Sequence, residues 1–102
     1  MILQINQKLF IPDNEIQWRF SRSSGSGGQN LNKVESQVEI TFNIHKSKSL
    51  NYFHKNLLFK KLNNKIINGC ISIKVKEQRT QFQNRQLAKE KLINLLKDVI
   101  MT

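Results

Sequence analysis

Cysteine is nearly absent from this chain. Cys70 stands alone, which excludes an internal disulfide framework and fits a reducing compartment. Long apolar runs are missing too, and nothing approaches the ~20 residues of a membrane-spanning helix. The opening Met-Ile-Leu-Gln-Ile-Asn-Gln-Lys has no charged region followed by a long apolar stretch, so no secretion signal is read. Histidine is limited to His45 and His54, and with one cysteine they complete no metal-ligand spacing. No metal or other cofactor is expected, and the expected location is the cytoplasm. Acidic side chains are scarce, seven against seventeen basic ones. Glycine is also rare, with four in 102 residues, yet three fall within Gly25-Ser26-Gly27-Gly28.

The charge is unevenly spread. Over residues 1–45 the basic Lys8, Arg19, Arg22 and Lys33 cancel Asp13, Glu15, Glu35 and Glu39. The whole net charge of +10 therefore lies in residues 46–102. Such a field suits a polyanion, although a lysine-rich solvated surface gives the same count. Charge of this kind attracts nucleic acid without sequence preference.

Three segments alternate with period two. Ile16, Trp18 and Phe20 interleave with Gln17, Arg19 and Ser21 after a turn at Pro12-Asp13. Val38, Ile40, Phe42 and Ile44 interleave with polar residues, as do Ile71, Ile73 and Val75. Each strand has one apolar face, which predicts a sheet covered on one side. Residues 2–11 add an edge strand or simply pack. Leu50, Phe53, Leu57, Leu58, Leu62 and Ile66 recur at helical steps, with Ser49 or Asn51 as N-cap and Asn68-Gly69 as the stop. Ala88, Leu92, Leu95, Leu96 and Val99 mark a second helix. The expected fold is one small α+β domain over residues 1–102, of order β-β-α-β-α. Two helices cover one face of a mixed sheet, and a long glycine loop joins the first two main strands.

Adjacent glycines open backbone angles closed to other residues and remove side chains that would block close approach. A phosphate-binding P-loop needs a Gly-Lys pair, which is missing, and a dinucleotide fingerprint needs glycine where Asn30 stands. A flexible surface loop is the plain alternative. Against it stand the flanks: the full stretch reads Arg22-Ser23-Ser24-Gly25-Ser26-Gly27-Gly28-Gln29-Asn30-Leu31-Asn32-Lys33. This stretch closely resembles the signature of the class I peptide-chain release factor catalytic domain. Downstream, Glu77-Gln78-Arg79-Thr80-Gln81-Phe82-Gln83-Asn84-Arg85 resembles the same family's second motif, which leads into the last helix. The resemblance runs from about Ile11 to Ile100. With no room for a stop-codon-reading domain, the chain looks like the stand-alone peptidyl-tRNA hydrolases that rescue stalled ribosomes.

That resemblance implies hydrolysis of the ester between nascent peptide and tRNA, independent of a codon. Its implied catalytic residues are Gly27, Gly28 and Gln29. Arg22, Ser23, Ser24, Gly25, Asn30, Asn32, Lys33, Arg79, Gln81, Asn84 and Arg85 are implied to support the loop or contact RNA. The implied partners are peptidyl-tRNA and the ribosomal RNA of the peptidyl-transferase centre, engaged by a monomer. Gln29 is a possible methyltransferase substrate, and no membrane partner is expected.

Two departures stand out. Ser26 occupies a place the family often gives to Pro or Ala. The chain also stops at Thr102, where rescue hydrolases usually continue into a basic tail, so no such tail is expected. A non-catalytic ribosome-binding module of the same fold is the alternative.

A Gln side chain is uncharged and cannot act as a general base near neutral pH, which favours positioning and electrostatics. Only four of the seventeen basic residues are Arg, and three of them, Arg22, Arg79 and Arg85, lie in the two motifs. Arg supplies a planar fork that Lys lacks, so geometry as well as charge is required there. Surface pairing of Arg79 or Arg85 with Glu77 or Glu90 is the competing reading. Trp18 is expected to pack in the core, Phe82 is left open, and Cys70 is expected to be a small buried strand residue.

Overall fold

Alternation is realised most fully in the strand over Gln37–Asn43, where Val38, Ile40 and Phe42 are wholly buried and the residues between them are half-buried. Burying side chains of this size contributes about 1.5–3 kcal/mol each relative to exposure. The computed structural model describes residues 2–21 and 37–100. In chain order the elements are β1 (Ile2–Gln4), β2 (Phe10–Pro12), β3 (Ile16–Ser21), β4 (Gln37–Asn43), α1 (Tyr52–Lys61), β5 (Ile66–Ile67), β6 (Cys70–Val75) and α2 (Gln81–Ile100). A short 3-10 turn over Asp13–Glu15 links β2 to β3.

The main sheet has the order β3-β4-β6-β5, and every neighbouring pair is antiparallel. The α+β class holds, but the sheet is antiparallel rather than mixed. The reason is β5, a two-residue strand absent from the sequence reading. It runs in the same sense as β4, and the Asn68-Gly69 turn then reverses the chain into β6. Asn68 and Gly69 have φ of 54° and 80°, the left-handed pair of a tight hairpin turn. Asn68-Gly69 is thus a hairpin turn and not the end of the first helix. A Cβ on Gly69 would meet the His45 Cβ at 2.8 Å, so glycine is required there for space as well as for backbone angle.

Helix α1 ends at Lys61, short of the expected Ile66. Of its two candidate caps, Asn51 is the one used: its Oδ1 accepts from the His54 N–H at 2.7 Å. Ser49 instead donates to Glu15 Oε2 at 2.9 Å, and Ser47 donates to Glu15 Oε1 at 2.6 Å. This carboxylate ties the loop after β4 to the start of β3. Phe53 faces solvent at 68% exposure rather than the core, and Leu58 is the fully buried residue of α1.

Helix α2 buries Asn84, Ala88, Leu92, Leu96 and Val99, and it packs directly on β4 and β6. Helix α1 packs against α2. Residues 2–11 resolve into a separate antiparallel pair, β1 with β2, which sends Leu3, Ile5, Leu9 and Ile11 into the same core.

Candidate functional site at the base of the glycine loop

Strands β3 and β4 are in register from Ile16 opposite Phe42 to Ser21 opposite Gln37. Residues 22–36, which contain the glycine motif, therefore start and finish at one cross-strand pair. Arg22, Ser23, Ser24, Gly25, Gly27, Gly28, Gln29, Asn30, Asn32 and Lys33 lie outside the described residues. The platform from which they depart is described, and the second motif forms part of it.

That platform is built by the start of α2. Thr80 Oγ1 accepts from the Gln83 N–H at 3.1 Å, and Gln83 Oε1 accepts in return from the Thr80 N–H at 3.3 Å. This reciprocal capping box satisfies donors at the helix N-terminus that have no intrahelical partner. One residue further, Asn84 is completely buried. Its Oδ1 accepts from the Gln78 N–H at 2.8 Å and its Nδ2 donates to the Gln78 carbonyl at 3.2 Å. Both ends of one amide thus clamp the connecting segment 76–80 to the helix. A buried amide this well paired avoids the cost of unmet hydrogen bonds.

Arg85 follows directly and reaches across to β3. Its guanidinium carbon lies 5.2 Å from the Trp18 ring centroid and 5.8 Å from that of Phe20. The two rings, two residues apart on one face of β3, stack with centroids 6.2 Å apart and planes only 4° from parallel. Both cation–ring distances fall within the ~6 Å over which a cation is held by a ring face. A planar guanidinium suits this arrangement better than an ammonium does. The helix therefore braces β3 through Phe20, next to Ser21, where the glycine segment leaves the sheet.

The rest of the second motif divides. Gln81 opens α2, while Arg79 is exposed in the preceding segment. Glu77 pairs with Lys91 at 2.8 Å rather than with either arginine. The Lys91 hydrogen bond, with backbone N–H groups of Lys76 and Glu77, holds the Glu77 carboxyl below its ordinary range. Phe82 is 66% exposed.

Comparison with known proteins decides the family. The RF-1 domain model matches residues 4–102. The chain belongs to the RF-1 domain family. The chain is 40% identical over 96 residues to "Peptidyl-tRNA hydrolase ArfB" of Pseudomonas putida, covering 93% of this chain and 69% of that protein. It is also 31% identical over 93 residues to the "Meiotically up-regulated gene 82 protein" of Schizosaccharomyces pombe strain 972, covering 85% of this chain and 47% of that protein.

Within this RF-1 domain, sequence reading placed Asn84 and Arg85 in the site but missed what they act with. Thr80 and Gln83 carry a visible signal, the Thr-x-x-Gln spacing of a capping box. Trp18 is half-buried against the core, as expected, yet its second role as a seat for Arg85 has no local signal. Cys70 is half-buried, not buried, and lines a polar groove with Thr41, Asn43 and Lys46. Among the described residues no helix is long and apolar enough to cross a membrane.

Proposed function

We propose that this chain is a peptidyl-tRNA hydrolase of ribosome rescue, which cleaves the ester joining a nascent peptide to tRNA without reading a stop codon. The observation that supports the reading is the braced pair of strand ends between which the glycine segment runs in sequence. Gly27-Gly28-Gln29 falls in that segment, between the paired Ser21 and Gln37. The 40% identical relative named as a peptidyl-tRNA hydrolase adds support and disfavours the non-catalytic alternative.

In the reaction, water attacks the ester carbonyl, negative charge grows on its oxygen, and the ribose oxygen leaves with a proton. Gln29 cannot accept the proton near neutral pH, so its part is geometric and electrostatic. Its backbone N–H stabilises the oxyanion or the leaving oxygen, and its side chain orders or excludes water. Gly27 and Gly28 let the main chain approach closely, while Arg22, Ser23, Ser24, Gly25, Asn30, Asn32 and Lys33 shape or anchor the segment. Arg79 and Gln81 face the same RNA, and Asn84 and Arg85 hold the platform rigid.

The partners are peptidyl-tRNA and the large-subunit ribosomal RNA, met by a monomer in the cytoplasm, with Gln29 open to methylation. Peptide release from ribosomes on mRNA truncated at the P site, compared with intact mRNA, tests the proposal. Release from the truncated complex supports it, and absence of release overturns it.

A further inference from the structure

The Asn6–Leu9 turn, the N-terminal end of α1 and the C-terminal end of α2 border an open pocket of about 710 Å³. Its apolar floor is Ile5 and Leu9, both buried. Lys8, Lys97 and His54 line it, and no carboxylate does. Neither lysine is seen in an ion pair among the described residues. The His54 Nδ1 is buried with no hydrogen-bond partner among them.

The walls are held in place by their own bonds. Asn6 Oδ1 accepts from the N–H groups of Lys8 and Leu9, each at 2.8 Å, and Asn51 caps α1 beside His54. A pocket of this volume is far larger than a phosphate needs and matches a small organic ligand. Its chemistry has two parts: cations at the rim for an anion, and an apolar floor with an imidazole wall for a flat ring.

We infer that this pocket binds one unstacked nucleotide of single-stranded RNA. The phosphate sits between Lys8 and Lys97, and the base lies over Ile5 and Leu9 against the His54 ring. Unpaired bases splayed out of RNA are recognised by stacking on aromatic side chains, histidine included, with phosphate contacts to lysine. The inference rests on the RNA-facing role proposed above, but it concerns a site separate from the ester chemistry. It adds a second hold on RNA to the one made by the glycine segment.

The test is a titration of the isotope-labelled full chain with tetrauridylate RNA, and separately with inorganic phosphate, followed at the backbone amides. The RNA is expected to shift Asn6–Leu9, Asn51, His54 and Lys97. Lys8→Gln with Lys97→Gln is expected to weaken binding by about tenfold through two lost phosphate contacts. His54→Ala is expected to weaken RNA binding severalfold while leaving phosphate binding unchanged.

Shifts confined to other lysine-rich surfaces, or an affinity unchanged in the double variant, overturn the site. Equal affinity for phosphate and RNA overturns the nucleotide assignment. The spectrum of each unbound variant reports whether it folds. His54→Leu, which keeps a bulky side chain, replaces His54→Ala if the latter does not. Peptide release without these shifts removes this pocket alone. The shifts without peptide release retain the pocket and remove the hydrolase reading.

Discussion

The guanidinium of Arg85 lies 5.2 Å from the ring centroid of Trp18, joining the first turns of α2 to the strand that leads into the glycine segment. This contact links two regions far apart in sequence. It also sets the second motif, on a helix, beside the strand end that leads into the glycine segment.

Replacement Arg85→Lys keeps the charge and loses the planar face. The cation–ring energy at stake is about 0.5–2 kcal/mol, so the fold survives. Peptide release falls more than stability does, because the base of the segment loses its brace. Paired urea unfolding and release kinetics check this; equal activity in the Lys variant removes the brace from the account.

Asn84 carries the clamp on Gln78 from a fully buried position. Asn84→Leu leaves the Gln78 N–H and carbonyl without their partner and costs about 1–3 kcal/mol. Gln78 is exposed, so water recovers part of that loss and the lower end is expected. A shift of the urea midpoint measures it, and a neutral outcome shows that the clamp is incidental.

Glu77 gives a pH dependence of defined sign. Its carboxyl is held low, first by the Lys91 hydrogen bond and then by backbone N–H groups. A carboxylate with a depressed folded-state pKa stabilises the fold above its unfolded value, and that stability is lost as pH falls through the folded one. The effect is small because the pair is exposed to solvent. A side-chain NMR titration is expected to place the Glu77 midpoint below the ordinary glutamate range, and Lys91→Gln is expected to raise it.

A backbone-centred reaction ranks two substitutions at one position. Gln29→Pro removes the N–H and constrains φ, whereas Gln29→Ala keeps the donor. Slower release by the Pro variant fits oxyanion or leaving-group stabilisation by the main chain. The reverse order moves the chemistry to the side chain.

Much of the fold is legible in the sequence where burial and period agree. The alternation from Val38 to Phe42 and the stripe through Ala88, Leu92, Leu96 and Val99 are both realised as core. Legibility fails at residues 62–69. Leu62 and Ile66 are four apart, so Ile66 reads as another helical turn, although it pairs with Ile71 in a strand too short to show a period. The Asn68-Gly69 pair signals a hairpin and a helix stop equally well, and only the pairing of Ile67 with Cys70 separates them. Phe53 illustrates a related limit, since helical spacing alone does not say which apolar residues face solvent.

In the candidate site the motifs were legible as resemblance, whereas the Arg85–Trp18 contact depends on how α2 crosses the sheet. No local pattern encodes that crossing.

The central claim is that Gly27-Gly28-Gln29 acts on the peptidyl-tRNA ester from a platform that folds without it. The most direct measurement is peptide release by Gly28→Val from ribosomes on mRNA truncated at the P site, alongside its urea midpoint. The account predicts abolished release at an unchanged midpoint; normal release by the folded variant would contradict it.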